Sequence, residues 1–172
     1  MRFAKNKPPY KSHFSAVLAP GGRHSLRLPY YIHIMPGGSL LAGGVHMPTS
    51  ADLQAIRAAI ADDPGPIKKV IEAPEFRKFF GGISGEMLKT APRGYSPDHP
   101  QIELLRHKQF MVLHPLSDER VLEPNFADHA LEVFAAMKPF LDYLQPLAGQ
   151  QMRPARKLPK RKSEPGMKKE RF

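Results

Sequence analysis

Through the first third of the chain, apolar and polar positions alternate with a period near two, and from residue 49 the period moves to between three and four. HFSAVLA (13–19) reads as a strand ending at the turn PGGR. YYIHIM (30–35) reads as a second strand, with Tyr30, Ile32 and Ile34 on one face and Tyr31, His33 and Met35 on the other. PGGS then reverses the chain and LLAGGVHM returns as a third strand, so residues 30–47 are expected to form an antiparallel hairpin. Glycine inside a strand gives up packing and costs entropy. The pair Gly43–Gly44 therefore predicts a bulge in the returning strand, with ligand access as the other reading.

Thr49 followed by Asp52 resembles a capping box, and Leu53, Ile56 and Ile60 continue it as one apolar stripe, so a helix is expected over about 50–62, stopped at DDPGP. IKKVIEA and PEFRKFFGG read as two short helices punctuated by Pro or Gly. After the loop KTAPRGYSPDHP, a helix around QIELLRHK leads into a fourth strand, QFMVLHPL. Asn125 and Asp128 suit the start of a last helix whose apolar positions run Phe126, Ala130, Val133, Met137, Phe140 and Leu144, with a kink expected at Pro139. Strands gathered first and helices later predict an α+β fold, an antiparallel sheet with helices packed on one face. Residues 1–148 read as one such domain. Residues 149–172, rich in bases and proline and poor in apolar residues, read as a disordered basic tail.

Charge changes this picture by its placement. The net charge is +10; residues 1–51 hold six Lys or Arg and no acid, and residues 152–172 hold nine bases and two acids. The intervening hundred residues are mildly acidic. The tail suits weak, nonspecific contact with nucleic acid or simple solubilisation. With no cysteine, disulfides, thiol nucleophiles and cysteine-ligated metals are excluded. No apolar run approaches the roughly 20 residues of a membrane span, so the reading is a soluble, cytoplasmic chain without membrane partners.

Candidate chemistry is sparse. Neither GxxxxGK[ST] nor a strand-to-helix GxGxxG occurs, and GISGE has the wrong spacing for a nucleophile elbow. His13, His33 and His46 fall on successive expected strands, but no HxH, HxxxH or HExxH pair exists and the first third offers no carboxylate; neither metal nor cofactor is expected. What remains is cation chemistry. Arg2, Lys5, Lys7 and Lys11, with Tyr10 and His13 between them, offer donors for phosphate or carboxylate oxygens and a ring for stacking, on a stretch stiffened by Pro8 and Pro9. A solvated lysine edge that discourages sheet-to-sheet pairing is the alternative.

RFAKNKPPYKSHFSAVLAPGG resembles the R-F-S-K-D-K-x-P-Y-K-x-H-F signature of the bacterial and fungal family called domain of unknown function 2461. YYIHIMPGGSLLAGGVHMP is similar to its Y-Y-L-H-I-x-P-G-x-S-x-x-G-G-G segment, and APRGYSPDHPQIELLRHKQF and MKPFLDYL continue the likeness in order to about residue 147. Ala4 and Asn6 depart from the usual Ser and Asp, the second removing the one acid of the cationic run. The resemblance further implies an upstream helical region with an N-N-x-x-W-F-type motif, so this chain is expected to be a short form lacking part of the core or pocket. It implies no activity. The residues therefore point to a small anionic ligand held by Arg2, Lys5, Lys7, Tyr10, Lys11 and His13, with Tyr31 and His33 beside them. Two other readings stand: nucleic-acid contact through the tail, and an enzyme using Tyr10, His13 or His33 as acid or base with Glu86 or Asp98.

Overall fold

The computed structural model describes residues 11–22 and 25–148. The expectations placed on Arg2, Lys5, Lys7 and Tyr10, and on the tail from residue 149, lie outside them. The order of elements is β1 (Phe14–Leu18), β2 (Tyr30–Ile34), β3 (Ser39–Val45), α1 (Ser50–Asp62), α2 (Gly65–Ile71), α3 (Pro74–Phe80), α4 (Ile102–Leu105), β4 (Phe110–Leu116), α5 (Asp118–Leu122) and α6 (Phe126–Ala148). The four strands form one antiparallel sheet in sequential order, with helices on one side, which is the expected α+β architecture.

Local chemistry sets the boundaries. Thr49 and Asp52 close a full capping box on α1: the Thr49 hydroxyl accepts from the Asp52 N–H at 3.1 Å, and the Asp52 carboxylate accepts from the Thr49 N–H at 3.0 Å. Proline opens α2 and α3, where its missing N–H removes no helical bond. Gly81 ends α3 at φ 68°. Ser117 caps α5, a turn the sequence pattern did not suggest because it holds no apolar stripe. Its neighbour Asp118 accepts from the Gly37 N–H at 2.9 Å and so ties the β2–β3 turn to the far end of β4. α6 continues through Pro139 and Pro146 as a single element.

Helices cover the sheet face that carries Leu41, Val45, Phe110, Val112 and Leu116. These five join Ile56, Ile60, Ile67, Phe76, Val133, Met137, Phe140 and Leu144 in one apolar core, most of them fully buried. Tyr30 and Ile32 point the same way; the Tyr30 ring lies 4.8 Å from that of Phe134. Burial raises the Tyr30 hydroxyl above its ordinary pKa, as expected for a core residue.

The glycine pair corrects a sequence expectation. Register runs unbroken from Ser39↔Leu116 to Val45↔Phe110, and from Tyr30↔Gly43 to His33↔Leu40, so no bulge interrupts β3. Gly43 is instead required by helix-to-sheet packing, because a β-carbon there would collide with Met137 Sδ on α6. Gly44 has φ 121°, and a β-carbon would strike the Phe110 carbonyl of the neighbouring strand. Close approach, the other property of strand glycines, decides both positions.

None of these four strands contains Asp, Glu, Lys or Arg. The charges of the described residues sit on helices and loops, and two arginines staple the long segment between α3 and β4. Arg57 donates to the Leu105 and His107 carbonyls (2.7 and 3.0 Å), and Arg106 donates to the Leu88 and Lys89 carbonyls (2.6 and 3.0 Å).

Candidate functional site

Alternation in the strands sends Ser15 and Val17, Tyr31 and His33, Leu40, Ala42 and Gly44, and Met111 and Leu113 to the sheet face opposite the helices. Register lines them up in rows. Val17, Tyr31, Ala42 and Leu113 make one, and Ser15, His33, Leu40 and Pro115 make the next. Between β1 and β4 this face forms a concavity of about 510 Å³. Its walls are Val17, Tyr31, Leu40, Ala42, Met111 and Leu113, and it is mostly apolar. Size and lining are those of a small-ligand site, which needs in addition a few placed polar groups.

Those groups stand at one end. Ser15 and His33 are paired across the β1–β2 ladder, and Ser15 Oγ lies 2.9 Å from His33 Nδ1. Tyr31, two residues before His33 on the same face, donates its hydroxyl to Ser15 Oγ at 3.1 Å. Ser15 Oγ thus sits between the Tyr31 hydroxyl and His33 Nδ1 and links the two rings. The His13 ring centroid is 5.1 Å from that of His33, and the Tyr31 ring stacks on His33 at 6.2 Å. Lys11 follows on the exposed approach to β1. A hydroxyl pair and two imidazoles thus gather where the apolar groove ends.

Of the residues singled out by sequence, Lys11, His13, Tyr31 and His33 are described. The last three form one cluster. His46 does not join it: it flanks the groove six residues past the row of Leu40 and His33, about 20 Å along the strand. Glu86 and Asp98 are elsewhere. Glu86 pairs with Lys108 at 2.8 Å just before β4, and this bond holds its carboxyl below the ordinary range. Asp98 sits in the exposed 90s loop. The Ser15–His33 pair has the contact of a hydroxyl with a base, but no carboxylate of the described residues orients the imidazole, as a nucleophile would require. Ser15 and the groove residues Val17, Leu40, Met111 and Leu113 were missed by sequence reasoning. Their alternation was visible, but not which face the helices would leave open.

The model of the family described as conserved hypothetical protein (DUF2461) matches residues 1–143. The chain belongs to the DUF2461 family. The match takes in all four described strands and most of α6, and therefore the whole open face just described. No curated protein and no solved structure matches the chain. The DUF2461 assignment supplies fold identity without a reaction, so function rests on the site itself. Among the described residues no helix is long and apolar enough to cross a membrane.

Proposed function

We propose that this DUF2461 protein binds a small amphipathic anion on the open face of its sheet, with the apolar body in the groove and the phosphate or carboxylate at the Lys11, His13 and His33 end. The observation that carries this reading is the position of the polar cluster. Ser15, Tyr31, His33 and His13 stand at one end of a groove that is apolar up to His46 at its far end, on four strands without a single carboxylate. An anion there meets hydrogen-bond donors and no like charge. The cationic segment Arg2, Lys5, Lys7, Tyr10 belongs to the same proposal through its continuity with Lys11.

A thermal-shift series with octanoate, octyl phosphate and inorganic phosphate tests it. Both octyl compounds should raise the melting temperature more than phosphate alone, since only they fill the groove. Lys11→Glu and His33→Ala should reduce the shift, and Leu113→Glu should abolish it. Equal shifts for wild type and all three variants, or no shift with any probe, would remove the proposal. The enzyme alternative is disfavoured by the separation of Glu86 and Asp98 from the cluster.

A further inference from the structure

On the helix-covered side, at the end of β4 away from the glycines, His114 meets His129 of α6. His114 Nδ1 lies 2.9 Å from the Phe79 carbonyl oxygen. A carbonyl only accepts, so Nδ1 carries the hydrogen and Nε2 of the neutral ring presents its lone pair. That Nε2 faces His129 Nε2 at 3.2 Å. The Phe79 ring packs edge-on against both imidazoles, with centroids 5.5 and 6.2 Å away, and fixes their planes. Outside the pair lies a polar cleft of about 340 Å³ lined by Lys78, Arg120, Asn125, Asp128 and Glu132.

We propose that His114 and His129 bind one late first-row divalent cation, Cu²⁺, Ni²⁺ or Zn²⁺, through their Nε2 atoms. Two imidazole nitrogens each roughly 2.0–2.1 Å from a tetrahedral ion stand about 3.3 Å apart, close to the separation here. Donation of the second ring nitrogen to a backbone carbonyl is the usual way a ligating histidine is oriented, and Phe79 supplies it for His114. Arg120 is paired with Glu123. Asn125 and Glu132, four residues before and three after His129, offer oxygens at the mouth for water held on the ion. Among the described residues no group of three histidine or carboxylate ligands exists, so the site supplies two nitrogens and leaves the remaining positions to solvent. This composition gives moderate affinity, following the order Cu²⁺ above Ni²⁺ and Zn²⁺, with Mn²⁺ weaker.

The test titrates each metal ion alone into the full chain after chelator treatment, by calorimetry, and records the electron paramagnetic resonance of the Cu²⁺ form. The expected result is one equivalent of Cu²⁺ with two coupled imidazole nitrogens. His129→Ala and His114→Gln should each weaken binding at least about tenfold. His13→Ala with His33→Ala, which removes the other histidine pair, should leave it unchanged. His129→Gln, at a half-exposed helical position, serves if His114→Gln fails to fold. Binding that survives loss of His129, binding that disappears with His13 and His33, or no stoichiometric binding would overturn the assignment.

Discussion

Met137 Sδ occupies the space that a β-carbon on Gly43 would need. The long helix is thereby seated directly on the backbone of β3, and the depth of that seat fixes how far α6 lies from the sheet. Gly43→Ala should destabilise the protein by about 1–3 kcal/mol, since Met137 is fully buried in the core and its sulfur has little free space to move into. Gly38→Ala is the comparison. Its β-carbon meets only the terminal methyl of Met35, a flexible end, and should cost well under about 1 kcal/mol. Urea unfolding of both variants decides; equal losses would mean that Met137 does not set the packing distance.

Arg57 presents a second sharp case. Its guanidinium bonds two carbonyls, those of Leu105 and His107, from a partly buried position, and desolvation lowers its pKa from the ordinary arginine value. Arg57→Ala leaves both carbonyls without that donor and should cost about 2–3 kcal/mol. Arg57→Lys should recover little of it, because a single ammonium cannot reproduce the two-pronged contact. Denaturant midpoints of the two variants give the comparison, and full recovery by lysine would reduce Arg57 to a point charge.

Acid should weaken the fold before carboxylates begin to titrate. His107 is buried and His129 half-buried, and burial is the largest cause lowering both below the ordinary value of 6.5. Well above 6.5 neither folded nor unfolded chain holds these protons. As pH falls below it, the unfolded chain takes them up first, so stability declines until the lower folded values are passed. The urea midpoint should therefore drop between pH 7.5 and 5.5, and His107→Gln should flatten that slope. An unchanged slope in the variant would assign the acid sensitivity to other groups.

The Tyr31, Ser15 and His33 cluster should separate binding from stability. Its hydrogen bonds are exposed or half-exposed, so Tyr31→Phe and Ser15→Ala should each shift unfolding by no more than about 1 kcal/mol. Both should nonetheless weaken octanoate binding, by releasing the ring of His33. Isothermal titration against each variant reads the binding effect; a large stability loss with unaltered binding would make the cluster structural.

Much of this fold was legible because local signals agreed. The capping box at Thr49 and Asp52, the turns at 20–22 and 36–38 and the apolar spacing of α6 each fixed an element within a residue or two. The bulge expected at the strand glycines does not form, since sequence shows that a side chain is missing and not which neighbour excludes it; both glycines instead line the groove. Tyr31 and His33 were placed correctly on a common face, but Ser15 joined them only through the β1–β2 register, a long-range property. The His114–His129 pair was invisible for the same reason. Fifteen residues and two kinds of element separate them, so no metal-binding spacing appears in the sequence.

The sheet ends differently at its two sides. Beyond β4, Ser84 donates its N–H to the Met111 carbonyl at 2.7 Å and begins to close that border. Among the described residues β1 pairs with β2 alone, and Phe14, Val17 and Leu18 stand exposed along it. Along β1 the free backbone edge and the exposed Val17 lie side by side, so the open border of the sheet is also the border of the groove.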